Sequence, residues 1–425
     1  MSQNPTRRSQ RVYASETEIA RLKAEHAQQT SQRAELAGES VMGLFAGKLA
    51  GLPTTLLGKT QVPDQRKLAA RLANWNYWWQ AQLLDCTIDA ALRAHSQGHS
   101  QQQLSWFDRA QRVLRGIRAR NLGSFSVSYY DDMAWLTLAA GRLNGLSRLI
   151  RGRGHLLSQE AGQELYRALA RGATEDLGGG MFWNKDHSFK NTPATAPAAL
   201  AFVRGQQTER AASLLNWLND NLWDEQEKIY LDGIKIGRDG QQLETGRYTY
   251  NQGPVLAAML ETEQAGGQLN CDVPERIAQV LAGIEQHFVQ DFELSAAETI
   301  QVIRTQGSGD AGLFTGILAR YLAQVALQDG LAPQLRERAG DLVIKTAELL
   351  WEGRREFDPQ LPLNEPGIDV TEIRGQARVL FSSNVVEHSS VTLRPGAAIE
   401  LAPQLQAWMI LEAAAKILRQ DQAAS

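Results

Sequence analysis

Two adjacent carboxylates, Asp131 and Asp132, are the residues of this sequence whose types and spacing most directly suggest chemistry. They follow Tyr129 and Tyr130 and precede a run of apolar residues spaced three and four apart, which predicts a helix that begins near Ser128. Acidic residues in a first turn are stabilised by the helix dipole, so a purely structural role is the alternative explanation. The neighbouring aromatic rings favour a functional role, because sugar sites commonly combine charged groups with aromatic side chains.

Two such carboxyl groups can hydrolyse a glycosidic bond. A carboxylic acid protonates the leaving oxygen, and a carboxylate attacks the sugar or activates water. Consecutive side chains at a helix start diverge by about 100°, which still permits the separation of about 5–5.5 Å found in enzymes that retain the anomeric configuration. Little space is left for an intervening water, so adjacency favours retention. The residues alone do not say whether Asp131 or Asp132 is the acid, since the helix terminus lowers one pKa and repulsion raises the other.

Candidate substrate-binding residues lie at the starts of other predicted helices or in the loops that precede them. Trp183 follows a glycine run at 178–180 and could stack on a sugar face, with a core position beneath the loop as the alternative. Asp232, near the tip of a predicted β-hairpin, could reach a sugar hydroxyl or be an ordinary turn acid. The other candidates for contact with the sugar are Tyr130, Lys190, Asn191, Tyr250 and Asn251.

The composition is that of an ordinary globular chain of 425 residues, with 43% hydrophobic and 21% charged residues. A net charge of −3 argues against electrostatic binding to nucleic acid or a membrane surface, and no apolar run approaches the length of a transmembrane helix. Neither the two cysteines nor the seven histidines have metal-site spacing, so no metal or other cofactor is expected. The Arg7-Arg8 pair lacks the apolar segment of an export signal, and a cytoplasmic protein is therefore expected.

About a dozen helical segments and little sheet are predicted, so the fold class is all-α. Unusual loop-to-helix junctions recur roughly every 60 residues, near Trp75, Asp131, Asn191, Asn251 and Asp310, with a sixth near Ile399. Six such helical hairpins closed in a ring form an (α/α)₆ barrel whose junctions share one rim, where a cleft is expected. An open helical solenoid is the alternative. We expect a single catalytic domain over residues 1–425, with a small β-hairpin insertion at 229–250 and a flexible tail at 1–14.

These motifs resemble glycoside hydrolase family 76, the α-1,6-mannanase family. The matching segments keep the family's order over roughly residues 70–325: Trp75 with Trp78 and Trp79, Tyr130-Asp131-Asp132-Met133-Ala134-Trp135, Gly179-Gly180 with Trp183, Lys190-Asn191, Tyr248-Thr249-Tyr250-Asn251-Gln252-Gly253, and Leu313-Phe314-Thr315-Gly316-Ile317. The resemblance implies an (α/α)₆ barrel and a retaining, endo-acting mannanase with Asp131 as nucleophile and Asp132 as acid/base. Thr315 stands where the family often carries Lys, and most well-known members are secreted or surface-attached.

We therefore expect a monomeric glycosidase that cleaves α-1,6-linked mannose in an α-mannan-like oligosaccharide or polysaccharide, with no nucleic-acid or membrane partner. Two alternatives stay open. One is a glycosidase or transglycosidase for another α-linked oligosaccharide, and the other is a carbohydrate-binding barrel without activity. Of Trp75, Trp78 and Trp79, we expect most in the core and one in the cleft.

Overall fold

The computed structural model describes residues 16–64, 75–238, 240–305, 307–356, 379–394 and 398–424, and most of them are helical. The predicted tail at 1–14 lies outside these ranges. None of the described helices is long and apolar enough to cross a membrane. The helices are α1 (Glu16–Phe45), α2 (Tyr77–Ser96), α3 (Ser100–Arg120), α4 (Tyr130–Arg151), α5 (Leu156–Gly172), α6 (Thr192–Arg204), α7 (Thr208–Asn221), α8 (Thr249–Gln264), α9 (Val273–Phe288), α10 (Ala311–Ala326), α11 (Pro333–Glu352), the single-turn α12 (Ser389–Thr392) and α13 (Leu401–Ala424).

Six helices, α2, α4, α6, α8, α10 and α13, form a closed inner ring in which each contacts the next and α13 returns to α2. Closure distinguishes this arrangement from an open solenoid and confirms the predicted (α/α)₆ barrel. The inner helices are surrounded by protein and are therefore apolar on several faces. In α6, every residue from Thr192 to Val203 is buried, and five alanines in that stretch allow the neighbouring helices to approach closely.

Outer helices pack on the inner helix that precedes each of them: α3 on α2, α5 on α4, α7 on α6, α9 on α8 and α11 on α10. The sixth outer position is occupied by α1, which packs on α13, so the first helix completes the last hairpin. Helices α1 and α13 approach closely at Gly38, where a Cβ atom would lie 2.7 Å from the Trp408 indole. Buried Arg93 of α2 also joins the two helices, pairing with Glu35 of α1 and, over 2.9 Å, with Glu412 of α13.

The strands are short and lie in the connections. They are β1 (Ala46–Gly47), β2 (Leu57–Gly58), β3 (Gln61–Val62), β4 (Phe189–Asn191), β5 (Trp223–Asp224), β6 (Ile229–Tyr230), β7 (Gly233–Gly237), β8 (Gly240–Glu244), β9 (Val289–Ser295), β10 (Glu298–Ile303), β11 (Arg355–Glu356), β12 (Val379–Leu380) and β13 (Ile399–Glu400). The predicted hairpin is β7–β8, which β4 extends to an antiparallel three-stranded sheet. A second hairpin, β9–β10, is absent from the sequence prediction because its turn contains no glycine, proline or asparagine.

The inner helices run in one direction, since an outer helix returns the chain between each inner helix and the next. Their N-terminal junctions therefore share one rim, as predicted. Contacts between junctions support this: the Trp78 indole at the start of α2 donates to Asp310 before α10 over 3.0 Å. The Gly309 amide donates to Glu400, which directly precedes α13, over 2.6 Å.

Candidate active site

Asp131 lies in the first turn of α4, partly buried at the rim. Both of its carboxylate oxygens accept hydrogen bonds. Oδ1 accepts the backbone N–H of Asp132 over 2.8 Å, and Oδ2 accepts the indole N–H of Trp183 over 2.9 Å. Donors aimed at a carboxylate favour its ionised form and hold it in one orientation. Asp131 is therefore a fixed carboxylate whose position depends on the loop that carries Trp183.

Asp132 has different surroundings, because no described residue donates a hydrogen bond to its carboxyl group. Burial raises the pKa of Asp132 well above its usual range, and the charges of Asp131 and Asp310 raise it further. Burial also raises the pKa of Asp131, to about 7, although its hydrogen bonds from the Asp132 amide and Trp183 oppose this effect. Asp132 thus keeps its proton after Asp131 has lost one. At intermediate pH the pair supplies one carboxylate and one carboxylic acid.

Asp310 is a third carboxylate at this rim, and the sequence predicts only that it stands at a helix junction. It is exposed, and its Oδ1 accepts the indole N–H groups of both Trp78 and Trp79, over 3.0 and 2.9 Å. Its negative charge raises the pKa of Asp131 and of Asp132. The sequence signal for Asp310 is an acid at the start of an inner helix, the same signal that identifies Asp131.

Aromatic residues at the starts of α8 and α10, namely Tyr248, Tyr250 and Phe314, form an aromatic wall. Tyr250 stacks on Phe314, with ring centroids 3.9 Å apart and planes inclined by 9°, and Tyr248 meets Phe314 edge-on at 5.8 Å. Trp78 is partly buried with its ring 6.3 Å from Phe314, while Trp79 is buried. Trp78 is therefore the tryptophan of the α2 start that lies beside this wall.

Tyr250, Asn251 and Asp232 lie close together, with Tyr250 near Asp131, and their contact with sugar stays a prediction. Burial raises the pKa of the Tyr250 phenol well above its usual range, and the nearby charges of Asp232 and Asp131 raise it further. Burial raises the pKa of Asp232 to about 6, and Asn251 Nδ2 lies 3.5 Å from its Oδ1. Asn251 is fully buried, and its Oδ1 has no hydrogen-bond partner among the described residues. These groups offer polar partners beside Asp131.

Trp183 is half-buried, so it is neither a core residue nor a freely exposed platform. Its backbone is held on both sides, since its carbonyl accepts from the Tyr130 amide and its amide donates to the Phe189 carbonyl, each over 2.7 Å. Its ring lies 5.0 Å from that of Tyr129, which is 40% exposed. Tyr129 is not among the predicted sugar contacts, although it directly precedes the acidic helix.

Lys190 does not contact the cleft, which argues against its predicted role in binding sugar. Its side chain is fully buried, and Nζ donates to the carbonyl groups of Thr174, Asp176 and Gly179 over 2.8, 2.6 and 2.5 Å. Burial lowers the pKa of this ammonium to about 8. Lys190 therefore holds the glycine loop in place. At Gly180, which has φ of +78°, a Cβ atom would lie 2.5 Å from the Trp217 ring, so the loop requires glycine here.

Like Lys190, Asn191 and Tyr130 are buried and packed within the protein. Asn191 is buried and caps α6, its Oδ1 accepting the Ala194 amide over 3.2 Å. Tyr130 is only 4% exposed, and its ring packs against Gly172 on the outer helix α5. The burial of Tyr130 argues against its predicted sugar contact: its backbone supports Trp183, while its ring packs against the end of α5. Among the described residues, no group of three His, Cys, Asp or Glu side chains is placed to hold a metal ion.

The sequence matches the model of glycosyl hydrolase family 76 over residues 30–360. The comparison with curated proteins returned no match. Among solved structures, the GH76A α-1,6-mannanase of Salegentibacter sp. HEL1_6 aligns at 23% identity with a TM-score of 0.69, covering 91% of this chain and 99% of that chain. The family 76 mannosidase Bt3792 of Bacteroides thetaiotaomicron aligns at 16% identity and TM-score 0.68, over 92% of this chain and 99% of that one. Dfg5 of Chaetomium thermophilum aligns at 16% identity and TM-score 0.61, over 97% and 93%.

The family match extends from α1 to beyond β11 and includes the rim residues of α2, α4, α6, α8 and α10. The structural neighbours share the helical-barrel fold with this chain along nearly its whole length. The chain belongs to glycosyl hydrolase family 76.

Proposed function

We propose that this protein is a retaining, endo-acting α-1,6-mannanase in which Asp131 is the nucleophile and Asp132 the acid/base. The observation that carries the proposal is the difference between the two adjacent carboxyl groups. Asp131 accepts two hydrogen bonds and ionises first, whereas Asp132 receives none from the described residues and keeps its proton longer. This is the division of roles that double displacement requires.

In the first step, the Asp132 carboxylic acid transfers its proton to the glycosidic oxygen as the bond from that oxygen to C1 breaks. The Asp131 carboxylate attacks C1, which gives a covalent glycosyl-enzyme and an ionised Asp132. In the second step, Asp132 takes a proton from a water molecule that attacks C1 from the same face. The C1–Asp131 bond breaks, and both aspartates return to their starting states with the α configuration retained.

The α-1,6-mannan assignment is supported by the neighbours in fold. One solved structure is an inactive variant of the Salegentibacter enzyme, with two consecutive aspartates replaced by asparagine, in complex with α-1,6-mannotriose. A variant with alanine at both aspartates is in complex with α-1,6-mannotetrose. Internal cleavage is supported by exposed groups on separate loops around the acids, Tyr129 after α3 and Asp310 before α10, which could bind sugars on either side of the broken bond.

A second candidate is action on another α-linked oligosaccharide, including transfer to a sugar acceptor. It is favoured by the likeness to Dfg5, whose solved structure is in complex with glucosamine. A carbohydrate-binding barrel without activity is less well supported, because binding alone does not require two carboxyl groups with separated pKa values. The expected cytoplasmic location and monomeric state stay predictions.

Proton NMR of the reaction products tests the proposal. The purified protein is incubated with α-1,6-mannotetraose and, separately, with α-1,2- and α-1,3-linked mannobiose and an α-1,4-glucan. Cleavage of the α-1,6 substrate at an internal bond, with an α product formed first, supports the proposal. A β product formed first would exclude Asp131 and Asp132 as a nucleophile and acid/base pair, and preferred cleavage of another linkage would favour the second candidate.

Two variants separate the roles of the acids. With an activated aryl α-mannoside, Asp132→Ala should accumulate the glycosyl-enzyme, because that leaving group needs no proton, and azide should restore turnover by replacing the activated water. Asp131→Ala should form no such intermediate. Mass spectrometry of the intact protein measures the adduct, and an adduct on Asp131→Ala would contradict the assignment of the nucleophile.

A further inference from the structure

A cavity of about 790 Å³ lies at the end of the barrel opposite the aspartates. Its wall comes from the middle and C-terminal parts of the inner helices α2, α4, α10 and α13, from the last residue of α6, and from the N-terminal and middle parts of α1. Along α4, Arg142 of this cavity is eleven residues from Asp131, about 16 Å at 1.5 Å per residue. The cavity is therefore separate from the active site, although both lie on the same helices.

Most of the charged groups in the wall neutralise one another. Asp85 and Asp89 of α2 each bridge Arg142 and Arg320, with distances of 2.7 Å from Arg320 to Asp85 and 2.9 Å to Asp89. This four-membered cluster has no net charge. Arg204 is likewise paired, since it donates to both carboxylate oxygens of Glu261, which lies behind the wall.

Lys416 and Arg419 are the exceptions. They are three residues apart on one face of α13, and within the described residues neither has a carboxylate at ion-pair distance. Arg419 donates to the Ser31 hydroxyl of α1 over 3.2 Å. Glu412, one turn before Lys416, accepts two hydrogen bonds from buried Arg93 instead. Lys416 and Arg419 therefore line the cavity without an ion-pair partner among the described residues, and the cluster of Arg93, Glu35 and Glu412 behind them offsets only one of their two charges.

The pKa values of Lys416 and Arg419 are consistent with the lack of an ion-pair partner in the described part of the chain. Burial lowers the pKa of the Lys416 ammonium and the positive charges of Arg142 and Arg204 lower it further, although the negative charge of Asp89 opposes this effect. Burial also lowers the pKa of Arg419, although the negative charges of Glu412 and Asp89 oppose this effect. A lowered pKa in a cation means that its charged form is destabilised where it stands. An anion in the cavity would remove this destabilisation.

We propose that the cavity binds a small organic phosphate, with Lys416 and Arg419 as the groups that bind the phosphate oxygens. A phosphate monoester carries close to two negative charges at neutral pH and has three terminal oxygens, so it can pair with Lys416 and Arg419 at once, whereas a monocarboxylate carries one charge and two oxygens. The volume is within the range of small-molecule sites and exceeds what inorganic phosphate fills. The amides of Gln28, Gln97 and Gln324 line the rest of the wall and suit a ligand with hydroxyl groups, such as a sugar phosphate.

A bound phosphate would contact both α13 and α1, the pair of helices that completes the barrel. The ligand should therefore stabilise the closed ring by mass action, since the unfolded chain does not preserve the site. This inference does not depend on the proposed mannanase activity, and it concerns residues outside the active site.

Calorimetric titration and thermal melting test the inference on the full chain at constant ionic strength. The probes are inorganic phosphate and glucose 6-phosphate, with free glucose, acetate and sodium chloride as controls. We expect glucose 6-phosphate to bind and raise the melting temperature, and phosphate to bind more weakly. Lys416→Gln should weaken binding of glucose 6-phosphate at least about tenfold, in line with the loss of a hydrogen bond from a charged donor.

The matched control is Lys345→Gln, which removes the same charge from a half-exposed lysine paired with Asp341 on the outer helix α11. This variant should bind glucose 6-phosphate like the wild type, and both variants should cleave glycan at the wild-type rate. Lack of wild-type binding at millimolar probe, equal binding by the two variants, or acetate binding as tight as glucose 6-phosphate would each overturn the inference. If Lys416→Gln does not fold, a wild-type crystal soaked in tungstate decides: density beside Lys416 supports the site, and density confined elsewhere contradicts it.

Discussion

Replacement of Trp183 by phenylalanine tests one interaction of the active site, the hydrogen bond from Trp183 to Asp131. The substitution keeps an aromatic ring beside Tyr129 but removes the indole N–H that donates to Oδ2 of Asp131 over 2.9 Å. That hydrogen bond favours the ionised carboxylate and so lowers the pKa of Asp131. Its loss should raise that pKa above the value of about 7 that the intact site sets.

The size of the shift follows from the energy of the bond. A hydrogen bond to a charged group contributes about 1.5–3 kcal/mol, and one pKa unit corresponds to about 1.4 kcal/mol. Asp131 is only partly buried, so water can replace part of what the indole provides. We therefore expect a rise of about one pKa unit, at the lower end of the range that these energies allow.

The assay is the pH dependence of kcat/KM on an α-1,6-linked mannan oligosaccharide. Activity requires ionised Asp131 and protonated Asp132, which gives a bell-shaped profile. In Trp183→Phe the acidic limb should move up by about one unit while the alkaline limb, set by Asp132, stays in place. Tyr129→Phe is the control, because Tyr129 donates no hydrogen bond to Asp131 and its ring is kept. A loss of activity with an unmoved acidic limb would refute the reasoning and leave Trp183 as a stacking residue alone.

Three further substitutions test other parts of the structure. Asp132→Asn should raise the melting temperature at neutral pH by a few degrees. A carboxyl group whose pKa is raised in the folded state destabilises the fold once the pH exceeds its unfolded-state pKa of about 4. A gain in melting temperature that persists below that pH would contradict this explanation. Asp310→Asn should move both limbs of the pH profile to lower pH by up to about one unit, because it removes a negative charge near both Asp131 and Asp132. Limbs that do not move would exclude an electrostatic role for Asp310. Lys190→Met should lower the free energy of unfolding in urea by about 2–3 kcal/mol, because buried carbonyl groups lose their donor; wild-type stability with reduced affinity for glycan would restore the predicted sugar contact.

The sequence predicts the barrel and its rim well, because the relevant signals are local. Apolar periodicity indicates the helices, and the recurrence of unusual junctions indicates that alternate helices start at one end. Asp131 and Asp132 are recognisable for the same reason, since two acids in a first turn beside tyrosines form a pattern within a few residues. The pairing of α1 with α13 has no local signal, because it depends on closure between distant segments of the chain.

The direction of individual side chains cannot be predicted from the sequence. Lys190 and Tyr130 are adjacent in sequence to rim residues, yet both point into the protein: the glycine loop provides carbonyl groups for the first, and Gly172 leaves space for the ring of the second. Asp310 is the converse case, because its importance arises from two tryptophans more than 200 residues away that donate to one oxygen. Contacts between residues so far apart in sequence can be identified only from the closed ring of helices.

The position of α1 has a consequence for biosynthesis. The ribosome releases α1 long before α13, so the face of α1 that packs on α13, with Gly38 against Trp408, lacks its native partner until α13 has been synthesised. At about 5–20 residues per second, this delay amounts to roughly 20–80 s. Nascent chains of this protein are therefore expected to bind holdase chaperones through α1, and a transcript truncated before α13 should yield an aggregating product even though five of the six hairpins are complete.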